Sequence, residues 1–188
     1  MKPANCIPKL ALSFTLVAFS ISAAGQDVSL LLSPSMALAI EKVIPGASLV
    51  TLADIDAKSC GTLPKSPGLV RGDFNGDKRS DFSVLLKAGE TGKSVSWQGS
   101  TLKQMRYAFV IFLDDGKGGF RAKLLQRFIN YAPIAAYIDR QPAGMVRNRD
   151  ENRNVSIRNE ATAFVFCEKS ASVYYVKANK VHEIPVTD

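Results

Sequence analysis

Histidine is almost missing from this chain of 188 residues: His182 stands alone, between Val181 and Glu183. A triad hydrolase needs a base beside its nucleophile, and no G-x-S-x-G accompanies His182, so it reads as a surface or edge-strand residue. Cysteine is scarce too, three in all, without the spacing that holds zinc. Ser100-Thr101-Leu102-Lys103 spells S-x-x-K, but the K-T-G and S-D-N companions are lacking. A phosphate loop is also missing, because in Asp114-Asp115-Gly116-Lys117-Gly118-Gly119 the lysine precedes glycine and a strand-like run follows. No stretch approaches the roughly 20 apolar residues of a spanning helix; the longest run, residues 10–21, has about a dozen. Basic residues are in excess, with a formal charge of +7, yet they lack density. Arg140, Arg147, Arg149, Arg153 and Arg158 alternate with Asp139, Asp150, Glu151 and Glu160, a solvated pattern and not a nucleic-acid face.

What is present begins with a leader. Lys2 and Lys9 precede the apolar run, Ser22, Ala23, Ala24 and Gly25 close it, and the first acidic residue is Asp27. This is the pattern of a signal peptide over residues 1–24, with cleavage after Ala24 or Gly25. Cys6 lies ahead of the apolar run, so it is no lipid-anchor cysteine. Loss of the leader brings the charge from +7 to +5 and leaves residues 25–188, a length suited to one domain with a real core. The expected location is periplasmic or secreted. In an oxidising compartment the two remaining thiols, Cys60 and Cys167, are expected to pair, the alternative being two separately buried cysteines. A bridge over a loop of about 107 residues stabilises by roughly 4 to 5 kcal/mol on the chain-entropy model.

Along the chain, Ser33-Pro34-Ser35 offers a cap and a first-turn proline to a short helix that Pro45-Gly46 ends. Residues 47–55 are apolar enough for a strand, and 58–67 have loop composition. Phe82, Val84 and Leu86, then residues 107–113 and 120–128, are β-type runs, the last two joined by the glycine turn at 116–119. Residues 131–159 read as irregular, and 162–167, 172–176 and 181–186 as three further short strands. The expected fold is α+β: mainly antiparallel sheet, a meander with a short N-terminal helix.

One constellation carries chemistry. Asp73-Phe74-Asn75-Gly76-Asp77-Lys78-Arg79-Ser80-Asp81 sets oxygen-bearing side chains at loop positions 1, 3, 5 and 9. Calcium takes six to eight hard oxygen ligands, and such spacing lets alternate residues of a tight turn converge while Arg79, at position 7, offers its backbone carbonyl. The expected ligands of one weakly held Ca²⁺ are therefore Asp73, Asn75, Asp77, Arg79 and Asp81. Val84 stands where an EF-hand has its bidentate Glu, and Lys78 where it has glycine. A metal-free Asx turn is the alternative.

The run Gly72-Asp73-Phe74-Asn75-Gly76-Asp77 with Asp81-Phe82-Ser83-Val84-Leu85 resembles the FG-GAP or VCBS-type repeat of extracellular proteins. Phe112-Leu113-Asp114-Asp115-Gly116-Lys117-Gly118-Gly119-Phe120 continues the likeness. The resemblance implies calcium in the D-x-N-G-D-x-x-x-D loop. A propeller needs roughly four to eight blades, and this chain has one copy, so the expected form is a single-motif exported domain. Arg71-Gly72-Asp73 spells an adhesion tripeptide, but Asp73 as first calcium ligand does not also face a receptor.

Function read from these residues is that of an exported, calcium-stabilised binding or inhibitory module without catalysis, its partner a protein or envelope component. The alternatives are a small envelope hydrolase using a metal in the 73–81 loop and a purely structural envelope protein. Residues 88–104 form a polar link, long for a hairpin, that carries the chain's one tryptophan. Trp97 is accordingly the candidate partner surface, with an extra hairpin or a core position for Trp97 as alternatives.

Overall fold

The computed structural model of the protein describes residues 31–186; the leader expected at residues 1–24 lies outside them. Its first element is helix α1, Pro34–Val43, where the Ser33 hydroxyl accepts the Met36 N–H at 3.3 Å and Pro34 occupies the first turn. Capping of this kind satisfies N–H groups that the helix itself leaves unpaired.

The apolar stretch that follows yields only β1, Ser48–Leu49, before the chain turns at Leu52–Asp54. The reason is Asp54, whose carboxylate takes both the Thr51 N–H and the Thr51 hydroxyl at 2.8 Å. A second short helix, α2 (Ala57–Cys60), starts in the expected loop because Asp56 caps the Lys58 N–H.

The first sheet is a meander with two small additions. Strands β3 (Asp81–Trp97), β4 (Ser100–Asp114) and β5 (Phe120–Tyr131) are antiparallel neighbours, and β1 and β2 (Leu69–Gly72) pair with the free side of β3. Consecutive buried residues at 81–86 and 107–113 explain why these segments read as unbroken apolar runs: strands covered on both faces have no polar side to show. Met36 and Ile40 of α1, with Ile44 at its C-terminal cap, cover Phe82, Val84, Leu86, Ala108, Val110 and Phe112 on one face. Phe109, Ile111 and Leu113 face the other way, toward Ile138, Phe164 and Tyr174.

Those partners belong to a second antiparallel sheet, β6 (Ala136–Gln141), β9 (Ala161–Phe166), β10 (Ser170–Lys177) and β11 (Lys180–Val186), in the order β11-β10-β9-β6. Its last three strands match the three expected C-terminal runs. Phe109 stacks on Phe164 with centroids 5.2 Å apart, the buried hydroxyls of Ser83 and Thr162 meet at 2.9 Å, and the Gln126 amide donates to the Tyr174 hydroxyl at 2.6 Å, so the sheets are joined by rings and by side-chain hydrogen bonds. The Cys60–Cys167 disulfide ties α2 to the end of β9. A bridge of this kind suits the oxidising compartments outside the cytoplasm. Among the described residues no helix is long and apolar enough to cross a membrane.

The expected irregular segment 131–159 is ordered after all: it holds β6 and the hairpin of β7 (Gly144–Asn148) with β8 (Arg153–Ile157). Val146, Val155 and Ile157 are the hairpin's apolar side chains that turn inward, against Val173 and Ile184, with the buried Asn148 beside them, while the arginines between them face solvent. The Asn148 side chain supplies the turn by accepting the Asp150 and Glu151 N–H groups at 3.0 and 3.1 Å. So sparse an alternation, diluted by charge, gives little strand signal in the chain itself.

Candidate functional site

The acidic loop lies between β2 and β3, at one end of the first sheet. Asp73 folds its carboxylate inward: Oδ1 accepts the N–H groups of Gly76 and Asp77 at 2.7 and 3.1 Å, and Oδ2 that of Lys78 at 2.9 Å. The Arg-Gly-Asp tripeptide is thereby committed to the loop. Gly76 has a φ of 81° and backs onto Asn159, whose amide atoms would stand 2.8 Å from any added Cβ. Lys78 adopts a φ of 65°, the left-handed conformation that costs a side-chain-bearing residue and that glycine takes freely.

Asp77 is held from three directions. Its carboxylate accepts the Arg79 N–H at 2.9 Å and the Asn75 amide at 2.8 Å, and the Arg79 guanidinium is in direct contact with it. Slight desolvation pushes its pKa up, but these hydrogen bonds and the charges of Arg79 and Arg121 outweigh it and hold the carboxyl below the usual aspartate range. Arg79 also faces Asp114 at 3.5 Å. The guanidinium therefore bridges the acidic loop to the β4–β5 turn.

Asp81 is fully buried at the start of β3. Oδ2 takes the Phe74 N–H at 2.9 Å and Oδ1 the Asp114 N–H at 2.8 Å. Burial drives its pKa above the ordinary value, in spite of both donors. Beside it Phe74 is buried in the main core, which pins the loop to the sheet.

Two residues that sequence reasoning did not single out complete this end of the molecule. Glu160 accepts the Asp73 N–H at 3.1 Å and is ion-paired with Arg140, while Asn159 packs on Gly76. Both lie nearly 80 positions beyond the end of the loop, and no local pattern announces a contact made only when β8 and β9 are assembled.

In kind, the loop fits a hard divalent cation: three carboxylates, one amide and one backbone carbonyl are oxygen donors, and the turn at Gly76 and Lys78 brings them into nine consecutive residues. In position they are engaged elsewhere, on N–H groups and on Arg79. Among the described residues no three acidic, histidine or cysteine side chains converge as a metal cluster. Calcium at this loop would have to displace the Arg79 guanidinium from Asp77.

No protein-family model, curated protein or solved structure matches the chain. The assignment of function thus rests on the geometry of the chain itself.

At the opposite end, residues 88–104 are not a loop. Strands β3 and β4 run on through them to the pair Trp97↔Ser100, with register shifts between Lys87 and Ser94 that absorb extra residues of β3. The third strand ends at the pair Gln104↔Tyr131, so the two strands project beyond it alone. Trp97 is 62% exposed at the tip. Ser100 and Lys103 are three apart on one strand and so point to opposite faces, with Lys103 bonded to Glu90 at 2.8 Å. The exposed His182 stacks on the half-buried Tyr175 with centroids 5.2 Å apart, a cross-strand pair on β10 and β11.

Proposed function

We propose that the protein is an exported, periplasmic or secreted binding module that acts by contact and not by catalysis. In this reading the projecting hairpin carries the partner surface, with Trp97 as its anchor. The observation that supports it most is the placement of Trp97. A large aromatic side chain held in water on a two-stranded projection of a well-packed sheet loses apolar burial that contact with a partner would restore.

The acidic loop then serves as a stabilising end. Its likeness to the FG-GAP or VCBS repeat supports a role for Ca²⁺ held by Asp73, Asn75, Asp77, Asp81 and the Arg79 carbonyl. When bound, the ion would offset two of the three carboxylate charges and brace the start of β3. The partner is a protein or another envelope component, and the interleaved basic residues argue against nucleic acid.

The test is capture from native envelope extract by the mature chain and by Trp97→Ala, each with calcium and with chelator. Loss of capture in Trp97→Ala, at an unchanged melting temperature, is the expected result. Equal capture by both chains would remove the hairpin from the reading.

A further inference from the structure

Five of the large apolar side chains left exposed lie on one face of the first sheet: Val95, Trp97, Leu124, Ile129 and Tyr131. The register places them there. Leu124 pairs with Val110, which faces α1, and from Val110 the alternation of β4 carries that face upward through Ala108, Arg106, Gln104 and Leu102. Ile129 is opposite Arg106, Tyr131 opposite Gln104, Val95 opposite Leu102, and Trp97 opposite Ser100. The helix covers this face only as far as Ala108. Above that level the described residues leave it uncovered.

Charge is distributed just as unevenly. Between Thr91 and Arg106 the chain has Lys93, Lys103 and Arg106 and no acid, with Arg127 opposite Ala108 below them, whereas Arg121 and Lys123 pair with Leu113 and Ile111 at the far end. Glu90, at the base of the projection, is taken up by Lys103. The acidic groups Asp73, Asp77, Asp81, Asp114 and Asp115 gather at the other end of the same β3–β4 ladder. A strand of 17 residues at about 3.3 Å per residue separates the two ends by on the order of 50 Å. Ionic strength screens charge over about 8 Å, so the acids do not oppose whatever meets the cationic end.

We propose that the hairpin end docks on an anionic phospholipid surface, with Trp97 and Val95 entering the boundary between headgroups and acyl chains and Lys93 and Arg106 lying against phosphate. This deepens the binding-module reading and rests on it. The shape of the end favours lipid over protein. A stable protein interface wants roughly 800 Å² on each partner, whereas this end is a convex two-strand tip turned at Gln98 and Gly99, with φ of 48° and 78°. A bilayer receives such a tip without needing a matching concavity. Tryptophan is enriched at that depth because its ring is apolar and its N–H keeps a polar partner.

The experiment is co-sedimentation of the mature chain with mixed phosphatidylglycerol–phosphatidylcholine vesicles and with pure phosphatidylcholine vesicles. Emission from Trp97 is followed in both, and it is unambiguous because the chain holds one tryptophan. Expected are binding and a blue shift with the anionic vesicles alone, weakened by salt and unchanged by chelator. Trp97→Ala and the double variant Lys93→Gln, Arg106→Gln should each bind at least about tenfold more weakly, since each basic residue near an anionic surface contributes several-fold. Equal binding to both vesicle types, or full binding by Trp97→Ala, overturns the proposal. If the chain ignores vesicles yet captures a soluble envelope protein through Trp97, the lipid surface is wrong and the binding module stands. If it captures neither, both fall.

Discussion

Asp81, the first residue of β3, bonds through Oδ1 to the N–H of Asp114, the last residue of β4, at 2.8 Å, and through Oδ2 to the N–H of Phe74 at 2.9 Å. One buried carboxylate thus closes the acidic loop on itself and clamps it to the neighbouring turn.

Replacing that carboxylate should be costly whether or not an ion is present. Asp81→Ala strands two N–H groups in a buried site, a loss of about 2 to 4 kcal/mol at the usual cost of unsatisfied donors. Urea unfolding in chelator measures it. Asp81→Asn, which keeps one acceptor, should lose less.

Calcium, on the proposed reading, would have to compete with Arg79 for Asp77. With affinity in the extracellular-module range, roughly 10⁻⁴ to 10⁻³ M, an ion at about ten times its dissociation constant adds roughly 1.4 kcal/mol by mass action. Thermal unfolding in millimolar calcium should therefore give a modestly higher Tm than in chelator. Arg79→Ala should enlarge the difference and Asp77→Ala abolish it, while magnesium substitutes poorly. A Tm indifferent to calcium in all three chains leaves a loop whose cation is the guanidinium itself.

The hydroxyl of Tyr107 is buried without a hydrogen-bond partner among the described residues, while its ring stacks on Phe128. Tyr107→Phe keeps the ring and removes the desolvated oxygen, so stability should rise by about 1 kcal/mol. Burial, with the charge of Asp54, pushes the phenol pKa up to about 12 from 10.0. A raised folded-state value means the contribution is intact below pH 10 and is lost as pH climbs toward 12. Wild type should accordingly lose stability over that window faster than Tyr107→Phe, as urea midpoints across alkaline pH will tell.

Removing the Cys60–Cys167 bridge should cost about 2 to 5 kcal/mol, because it fastens the α2 segment to β9. Unfolding of the Cys60→Ser, Cys167→Ser chain gives the figure. Thiol labelling of the denatured, unreduced wild type should find neither cysteine free.

Several features were already decided by the order of residues. Ser33 and Pro34 start α1 through local capping, the glycine turn after Asp114 needs only its own backbone freedom, and runs such as 107–113 are apolar enough to become doubly covered strands in any fold. The nine-residue acidic loop is local in the same sense: Asp73 reaches N–H groups three to five positions ahead. Tertiary structure decided the rest, since the deciding groups are distant in sequence. Strand 47–55 gave way to the turn that Asp54 makes locally with Thr51, and it is Lys87, distant in sequence, that fixes that carboxylate against the sheet at 2.7 Å. Glu160 and Asn159 meet the acidic loop only after β9 is in place. Residues 88–104 look like a loop because, once β3 and β4 pass beyond the third strand, no core demands apolar side chains. The same absence of cover leaves Trp97 in water, an exposure invisible in composition and the one on which the proposed binding role rests.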